Sequence, residues 1–276
     1  MSISAKDVMK LREATGAGMM DCKNALKETG GDFDKAVEFL RKKGQKVSEK
    51  RADREANQGL ILVKISDDKK KASAIEINCE TDFVARNEDF QAQAQSFLDA
   101  AFEHETGTIE ELSKKEVNGL TVEKHLESMV GKIGEKIEIS RVLFISTSGA
   151  LVDYIHPGNQ LGVIVEFESS LDNDNVGKDV AMQIAAMNPL AVTRDGVDAS
   201  VVEKELEIAK EQLINEGKPA EIAEKAAQGK LRRFYEERVL LEQKFVKDNG
   251  ITVKEYLQKE NAPLVRSFHR LQLGES

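Results

Sequence analysis

The first part of the chain repeats apolar and polar positions with helical spacing. Residues 1–44 contain three short amphipathic stretches, and Gly30 and Gly31 end the second of them, so three short helices are predicted. Asp32 is a typical N-cap for the third helix. Residues 45–58 have no apolar face and seven of the fourteen are charged, which predicts a linker that is at most partly helical.

Strand-like runs follow this linker. Residues 59–66 and 70–78 are apolar-rich runs separated only by Asp-Asp-Lys, which predicts a β-hairpin. Asn87 is a typical N-cap for a helix that reaches about Phe102, because acidic residues follow it and apolar residues then recur at helical spacing. A further helix over 121–135 and a strand over 136–146 complete this unit.

The order of hairpin and then helix recurs later in the chain. The runs 150–156 and 161–169 predict a second hairpin, and Pro189 ends the helix after it. The segment AIEINCETD begins at residue 74 and GVIVEFESS begins 88 residues later, which indicates a weak internal duplication. The two copies differ where hairpin meets helix: the first has TDFVARN and the second SSLDNDN. The first copy therefore places an acid beside a large aromatic ring, at a turn expected to be exposed.

The last third of the chain predicts an insert. Residues 198–247 are highly charged with helical spacing, and Gly217 and Pro219 mark a stop and a restart, so an antiparallel helical hairpin is expected. A short helix and a returning edge strand follow. The predicted fold is α+β, divided into a three-helix domain (1–44), a linker (45–58), two related subdomains of antiparallel sheet with packed helices (59–146, and 147–197 with 248–276), and the helical-hairpin insert (198–247).

Charge and composition restrict the classes of function that the chain could have. The net charge of the 276 residues is −9, which argues against a protein that mainly grips phosphate backbones, so no direct nucleic-acid binding is expected. Residues 1–58 hold 13 Lys and Arg against 10 Asp and Glu, a charge of +3, so the rest carries −12. The chain has no long apolar stretch for a membrane span or a secretion signal. Two cysteines without a CxxC spacing fit a reducing compartment, and a cytoplasmic location is expected.

The sequence contains none of the common catalytic or phosphate-binding motifs, such as GxxxxGK[ST], GxGxxG, GxSxG or HExxH. Cys79 beside Glu80 could be a nucleophile, but its place in a strand pattern favours a small buried residue. The chain is expected to bind a partner rather than to perform bond chemistry, with no cofactor and no metal site. The histidines lack ligand spacing; they are His104, His125, His156 and His269.

Two stretches carry a resemblance to a known family. Residues 10–26, KLREATGAGMMDCKNAL, followed by 30–44, and residues 78–90, NCETDFVARNEDF, resemble the two signatures of translation elongation factor Ts. The resemblance extends over essentially the whole chain. It implies a guanine-nucleotide exchange factor that binds elongation factor Tu with GDP or without nucleotide, speeds GDP release and leaves when GTP rebinds.

The family also implies a fold. Its members have a small ubiquitin-associated-like (UBA-like) helical domain, a core of two related subdomains, and a coiled-coil hairpin that some relatives use to dimerise. Homodimerisation through the hairpin or the core is therefore open. Long relatives carry a further C-terminal helical module, which this chain is expected to lack.

The family implies sites as well. Asp82 and Phe83 of the TDFV motif would enter the nucleotide domain of elongation factor Tu near its Mg²⁺. Met19 and Met20, with Leu11 nearby, would touch a helix of that domain. The alternative for the two methionines is ordinary packing within the three-helix unit. His156 is a further possible contact, or it serves only the turn on which it lies. The complete motif is Thr81, Asp82, Phe83 and Val84.

Three alternatives to this hypothesis remain. Phe83 could pack into its own core while Asp82 helps to cap the next helix. The chain could be a UBA-like adaptor whose core has another task, but such a protein would have no use for TDFVARN. It could also be an enzyme that uses Cys79 or scattered carboxylates.

Overall fold

A computed structural model describes residues 3–275 of the chain, which form helices and antiparallel sheets as the α+β prediction requires. The first three helices pack around a small core of their own that includes Val8, Leu11 and Ala36. Ser4 caps the first helix by accepting the backbone N–H of Asp7 at 3.1 Å. The helices are α1 (Ala5–Thr15), α2 (Met19–Glu28) and α3 (Phe33–Arg51).

The first sheet has three antiparallel strands in the order β1-β2-β5. Its middle strand is buried along all but its first residue, and most of the residues of that strand are accordingly small or apolar, although Glu76 and Asn78 are buried too. Two long helices cover one face, and short elements that the sequence pattern did not predict fill the connections. The elements are β1 (Gln58–Ile65), β2 (Lys71–Cys79), α4 (Asp82–Ala85), α5 (Glu88–Glu103), α6 (Ile109–Ser113), β3 (Glu116–Val117), β4 (Leu120–Thr121), α7 (Val122–Ile133) and β5 (Ile137–Ser146).

The third helix is longer than predicted. It continues past Gly44 to Arg51, into the segment expected to be a linker. Gly44 is buried against α7, and Val47 packs on the core beneath the first sheet. Tertiary packing therefore extends the helix through residues 45–51, a segment whose own sequence has no apolar face.

The second sheet repeats the arrangement of the first. Its order is β10-β7-β6, so in both sheets a hairpin is joined by a later strand that pairs with the hairpin's second strand. This shared topology agrees with the duplication inferred from the sequence. The elements are β6 (Ala150–Ile155), β7 (Leu161–Phe167), α8 (Asp174–Met187), β8 (Lys244–Phe245), β9 (Asp248–Thr252), α11 (Val253–Lys259) and β10 (Val265–Gln272).

The two sheets pack face to face. Ile61 and Ala74 of the first sheet share one apolar cluster with Leu151 and Ile164 of the second, while the opposite faces carry the helices. Gly162 permits close approach here, because a Cβ on it would lie 2.7 Å from Cγ2 of Ile61. The result is a helix–sheet–sheet–helix arrangement, which gives the surface loops a firm base.

The insert is a pair of helices, α9 (Ala199–Asn215) and α10 (Ala220–Arg238), packed through a small cluster that includes Leu213 and Ala227. The prediction that helix extends to residue 247 was wrong. The chain leaves the helix at Arg238 because Leu240 and Phe245 are buried in the core of the second sheet. Within residues 3–275, no helix is long and apolar enough to cross a membrane.

Candidate partner-binding site

The link between β2 and α5 exposes an aromatic ring. Residues 81–86, here called the tip, form the single helical turn α4 with Thr81 as its N-cap. The side chain of Phe83 is 81% exposed. The alternative that Phe83 packs into its own core is therefore wrong, and the ring is free to contact another molecule.

The tip is held firmly although its ring is exposed. The hydroxyl of Thr81 donates to Oε1 of Glu135 at 2.8 Å, and its backbone N–H donates to Oε2 of the same carboxylate at 3.0 Å. Ala85 is buried, and Val84 packs partly against the core beneath the sheet. The flanks of the turn thus face inward while Phe83 faces outward.

Asp82 lies beside the ring and makes an exposed ion pair with Arg86 at 3.1 Å. It does not cap the following helix, as one alternative required. Asn87 does so, because its Oδ1 accepts the backbone N–H of Phe90 at 3.2 Å. An exposed pair of this kind contributes little to stability, so the carboxylate of Asp82 can exchange Arg86 for a partner's donor.

The second copy of the duplicated unit closes without an exposed aromatic ring. The corresponding link, SSLDNDN, forms no helix before α8. Its apolar residue, Leu171, packs partly against the core of the second sheet. The same architecture therefore closes with the apolar side chain turned inward, and the outward Phe83 is a feature added to the first copy.

A second apolar surface lies at the start of α2. Met19 is 46% and Met20 is 63% exposed, so neither side chain is buried in the three-helix core. Leu11 is different, since it is fully buried in that core. The expectation that Leu11 itself contacts a partner needs correction: it offers no surface and instead supports the helices that carry the methionines.

The four histidines lie apart. His156 is exposed on the turn between β6 and β7, and its Nδ1 is 2.9 Å from the hydroxyl of Tyr154. His104 is exposed at the end of α5. Nε2 of His125 is 2.7 Å from the carbonyl oxygen of Val117, and burial lowers the pKa of His269 in β10.

Cys79 ends the strand that leads into the tip. It is buried, and its Sγ donates to the carbonyl oxygen of Thr81 at 3.1 Å. Burial, reinforced by the nearby carboxylate of Glu135, raises the pKa of Cys79 to about 12. A thiol with such a pKa is a poor nucleophile, so the geometry supports a structural role.

Two acidic residues of the site were missed in the sequence. The carboxylate of Glu80 accepts one hydrogen bond from the guanidinium of Arg51 at 2.6 Å and another from the backbone N–H of Lys136 at 2.6 Å. Its position next to the tip was a usable signal. Glu135, which binds Thr81, is 54 residues away in the chain, and nothing in the local pattern marks it.

The chain thus exposes apolar side chains at two surfaces, which is typical of a protein that binds a partner. The protein-family model described as Elongation factor TS matches residues 80–275. A relative called Elongation factor Ts from Amoebophilus asiaticus is 49% identical over 99% of this chain and 100% of its own length. Relatives of the same name from Prosthecochloris aestuarii and Christiangramia forsetii are 45% and 46% identical over 99% of both chains.

The chain belongs to the elongation factor Ts family. The resemblance inferred from the two signatures is thereby confirmed. Membership implies guanine-nucleotide exchange on elongation factor Tu during translation elongation, with no bond chemistry of its own.

Proposed function

We propose that this chain releases GDP from elongation factor Tu by placing the ring of Phe83 beside the partner's Mg²⁺ and phosphate site. One observation carries the proposal: a ring that is 81% exposed stands on a turn whose two flanks are anchored. An apolar side chain on such a support keeps its position when it contacts the surface of a partner. It can therefore enter between elements of a partner rather than fold back.

The Mg²⁺ ion is the vulnerable part of a bound nucleotide. It requires nearly ideal octahedral geometry, so a small displacement of the elements around it weakens its contacts. Phe83 would favour the displaced arrangement by being buried in it. Asp82, once released from Arg86, would bring negative charge and hydrogen-bond acceptors to the same region.

Exchange requires a coupling free energy between the two ligands of the partner. A protein that bound the GDP-loaded and the empty states of elongation factor Tu equally would not change the affinity for GDP. The coupling is also reciprocal, so GDP weakens the binding of this chain by the same factor by which the chain weakens the binding of GDP. A thousandfold coupling takes about 4 kcal/mol, whereas burying one aromatic side chain supplies about 1.5–3 kcal/mol. Phe83 therefore needs help from other contacts that also prefer the open state.

The exposed methionines are the proposed second contact. Methionine is flexible and polarisable, which suits an adaptable apolar surface, and Met19 and Met20 extend from a helix of the basic N-terminal region. His156 is a third proposed contact, on an exposed turn of the second sheet. The UBA-like character of the three helices and dimerisation through the hairpin or the core are further proposals.

The test is nucleotide release. Elongation factor Tu loaded with a fluorescent GDP analogue is mixed with this chain and excess unlabelled GDP, and the fluorescence decay is followed. We expect acceleration at substoichiometric amounts, since the chain leaves after each event and acts again. Release no faster than that of elongation factor Tu alone would contradict the proposal.

A further inference from the structure

The end of α7 contacts both the three-helix unit and the start of α5. Gly131 faces Gly44 of the third helix, where α3 packs on α7. The next residue, Lys132, donates to Asp89 at 3.0 Å, and its side chain lies against Gly16, three residues before the methionine pair. One short stretch thus touches the turn that leads to Met19 and the start of α5.

The residues after α7 hold the tip. Glu135 binds Thr81 through both carboxylate oxygens, and the backbone N–H of Lys136 binds Glu80. Glu80 in turn pairs with Arg51 at the end of α3. Residues 127–136, here called the bracket, are therefore the common neighbour of the three-helix unit and the tip.

The tightest point of this arrangement is a glycine contact. A Cβ on Gly131 would lie 2.9 Å from Cα of Gly44, and a Cβ on Gly44 would lie 2.9 Å from the carbonyl oxygen of Glu127. Both obstacles are backbone, so neither can turn aside as a side chain would. The first helix approaches the first subdomain less closely, because a cleft of about 500 Å³ opens between Glu13 and the residues of α5 and α7.

The geometry points to the bracket as a positioning element that fixes the distance between the methionine surface and Phe83 before a partner arrives. This inference rests on the proposed function, in which both surfaces meet one partner. Binding at two points costs less when their separation is already set, since no domain motion must be frozen on association. A three-helix unit that swung freely would lose that advantage, because the second contact would depend on its chance of reaching the right place.

The test pushes the helices apart at the glycine contact. The variant carries Gly44→Ala together with Gly131→Ala, and the control is Gly229→Ala in α10, where a Cβ would meet nothing within 4 Å. Alanine favours helix over glycine at all three positions, so each variant is expected to fold, and circular dichroism checks this. Spin labels at Lys27→Cys and Glu103→Cys, both exposed positions, report the distance between the three-helix unit and α5, which packs on the first sheet.

We expect one narrow label distance in the unmodified background and in the control, and a broad distribution in the double alanine variant. In nucleotide release, that variant is expected to need about tenfold more protein for half-maximal acceleration. Its maximal rate should stay within about twofold, since Phe83 and its anchors are unchanged.

A distribution that is broad before any substitution, or that stays narrow in the double variant, would overturn the inference. So would an unchanged half-saturating concentration in a variant whose label distances have broadened. The distance measurement needs no partner. If the unmodified chain fails to accelerate release, the proposed function is wrong, while the label distances still decide whether the bracket fixes the two parts.

Discussion

Thr81 and Glu135 are joined by two hydrogen bonds, one from the threonine hydroxyl at 2.8 Å and one from its backbone N–H at 3.0 Å. Thr81 is also the N-cap of the turn that carries Phe83. The pair therefore links the loop after α7 to the orientation of the exposed ring. A bidentate contact of this kind restricts rotation as well as distance.

Thr81→Val should loosen the tip without unfolding the protein. Loss of an N-cap costs about 1 kcal/mol, and we expect the rate of catalysed GDP release at a fixed low concentration to fall about threefold to tenfold. Thr81→Ser is the matched control, because it keeps the hydroxyl and should remain close to the unmodified rate. Equal rates for the valine and serine variants would show that the hydroxyl does not hold the ring in place.

Phe83→Ala should slow release far more than it affects folding. The ring is largely exposed in the free protein, so the change in unfolding free energy should be within about 0.5 kcal/mol. Burial of the ring against the partner is worth about 1.5–3 kcal/mol, so its removal corresponds to a decrease of about 10- to 150-fold in the rate of catalysed GDP release. The control is Ile109→Ala, which shortens another exposed apolar side chain of the same subdomain. This variant should accelerate GDP release from elongation factor Tu as fast as the unmodified chain does. Normal kinetics in the Phe83 variant would eliminate the wedge.

Met19→Ala combined with Met20→Ala should weaken binding while leaving the tip intact. Both side chains are about half exposed, so we expect roughly a tenfold rise in the half-saturating concentration, which corresponds to about 1.4 kcal/mol of binding free energy. Met187→Ala is the control, since Met187 is 41% exposed at the end of α8. Calorimetric titration with elongation factor Tu measures the difference, and identical affinities would remove the methionines from the interface.

The sequence predicted most elements of the core because their signals are local. The hairpins follow from apolar runs around short polar turns, and Asn87 caps α5 where its pattern indicated. The ends of two helices were missed for the opposite reason. α3 extends to Arg51 because Gly44 is buried against α7. α10 stops at Arg238 because Leu240 is buried in the core of the second sheet. Such long-range packing cannot be deduced from spacing.

The candidate site divides in the same way. The outward position of Phe83 could be expected, because the duplicated unit closes without an aromatic residue at that point. Its anchors could not, since Glu135 and Thr81 meet only after β5 pairs with β2. The burial of Leu11 was also missed, as its stripe on α1 can face either the three-helix core or a partner.

Cys79 should resist thiol reagents in the folded protein. With a pKa raised to about 12 by burial, the thiol stays almost entirely protonated at pH 8. We expect alkylation of Cys79 by iodoacetamide at pH 8 to be very slow natively and rapid in denaturant, as followed by mass spectrometry of the digested protein. Fast native modification would reopen the hypothesis that this residue is a nucleophile.

Glu80 should make the attachment of α3 to the first sheet sensitive to acid. Burial alone would raise the pKa of Glu80, but the backbone N–H of Lys136 and the guanidinium of Arg51 outweigh it and lower that pKa below the ordinary 4.5. A carboxyl whose pKa is lower in the folded state stabilises the fold above its unfolded value. That stabilisation is complete above about pH 5 and is lost as the pH falls through the folded value.

Melting temperatures between pH 7 and pH 3.5 test this effect. Glu80→Gln should melt lower than the unmodified chain at pH 7, and the gap should narrow toward pH 3.5, because the stabilisation by the charged carboxylate declines as the pH falls below the unfolded value. Glu110→Gln is the control: its hydrogen bond with Lys114 also lowers the pKa of Glu110. Its side chain is 82% exposed, so solvent screens the pair and the melting curve should hardly change. A gap that stays constant with pH would mean that Glu80 contributes through packing rather than through its charge.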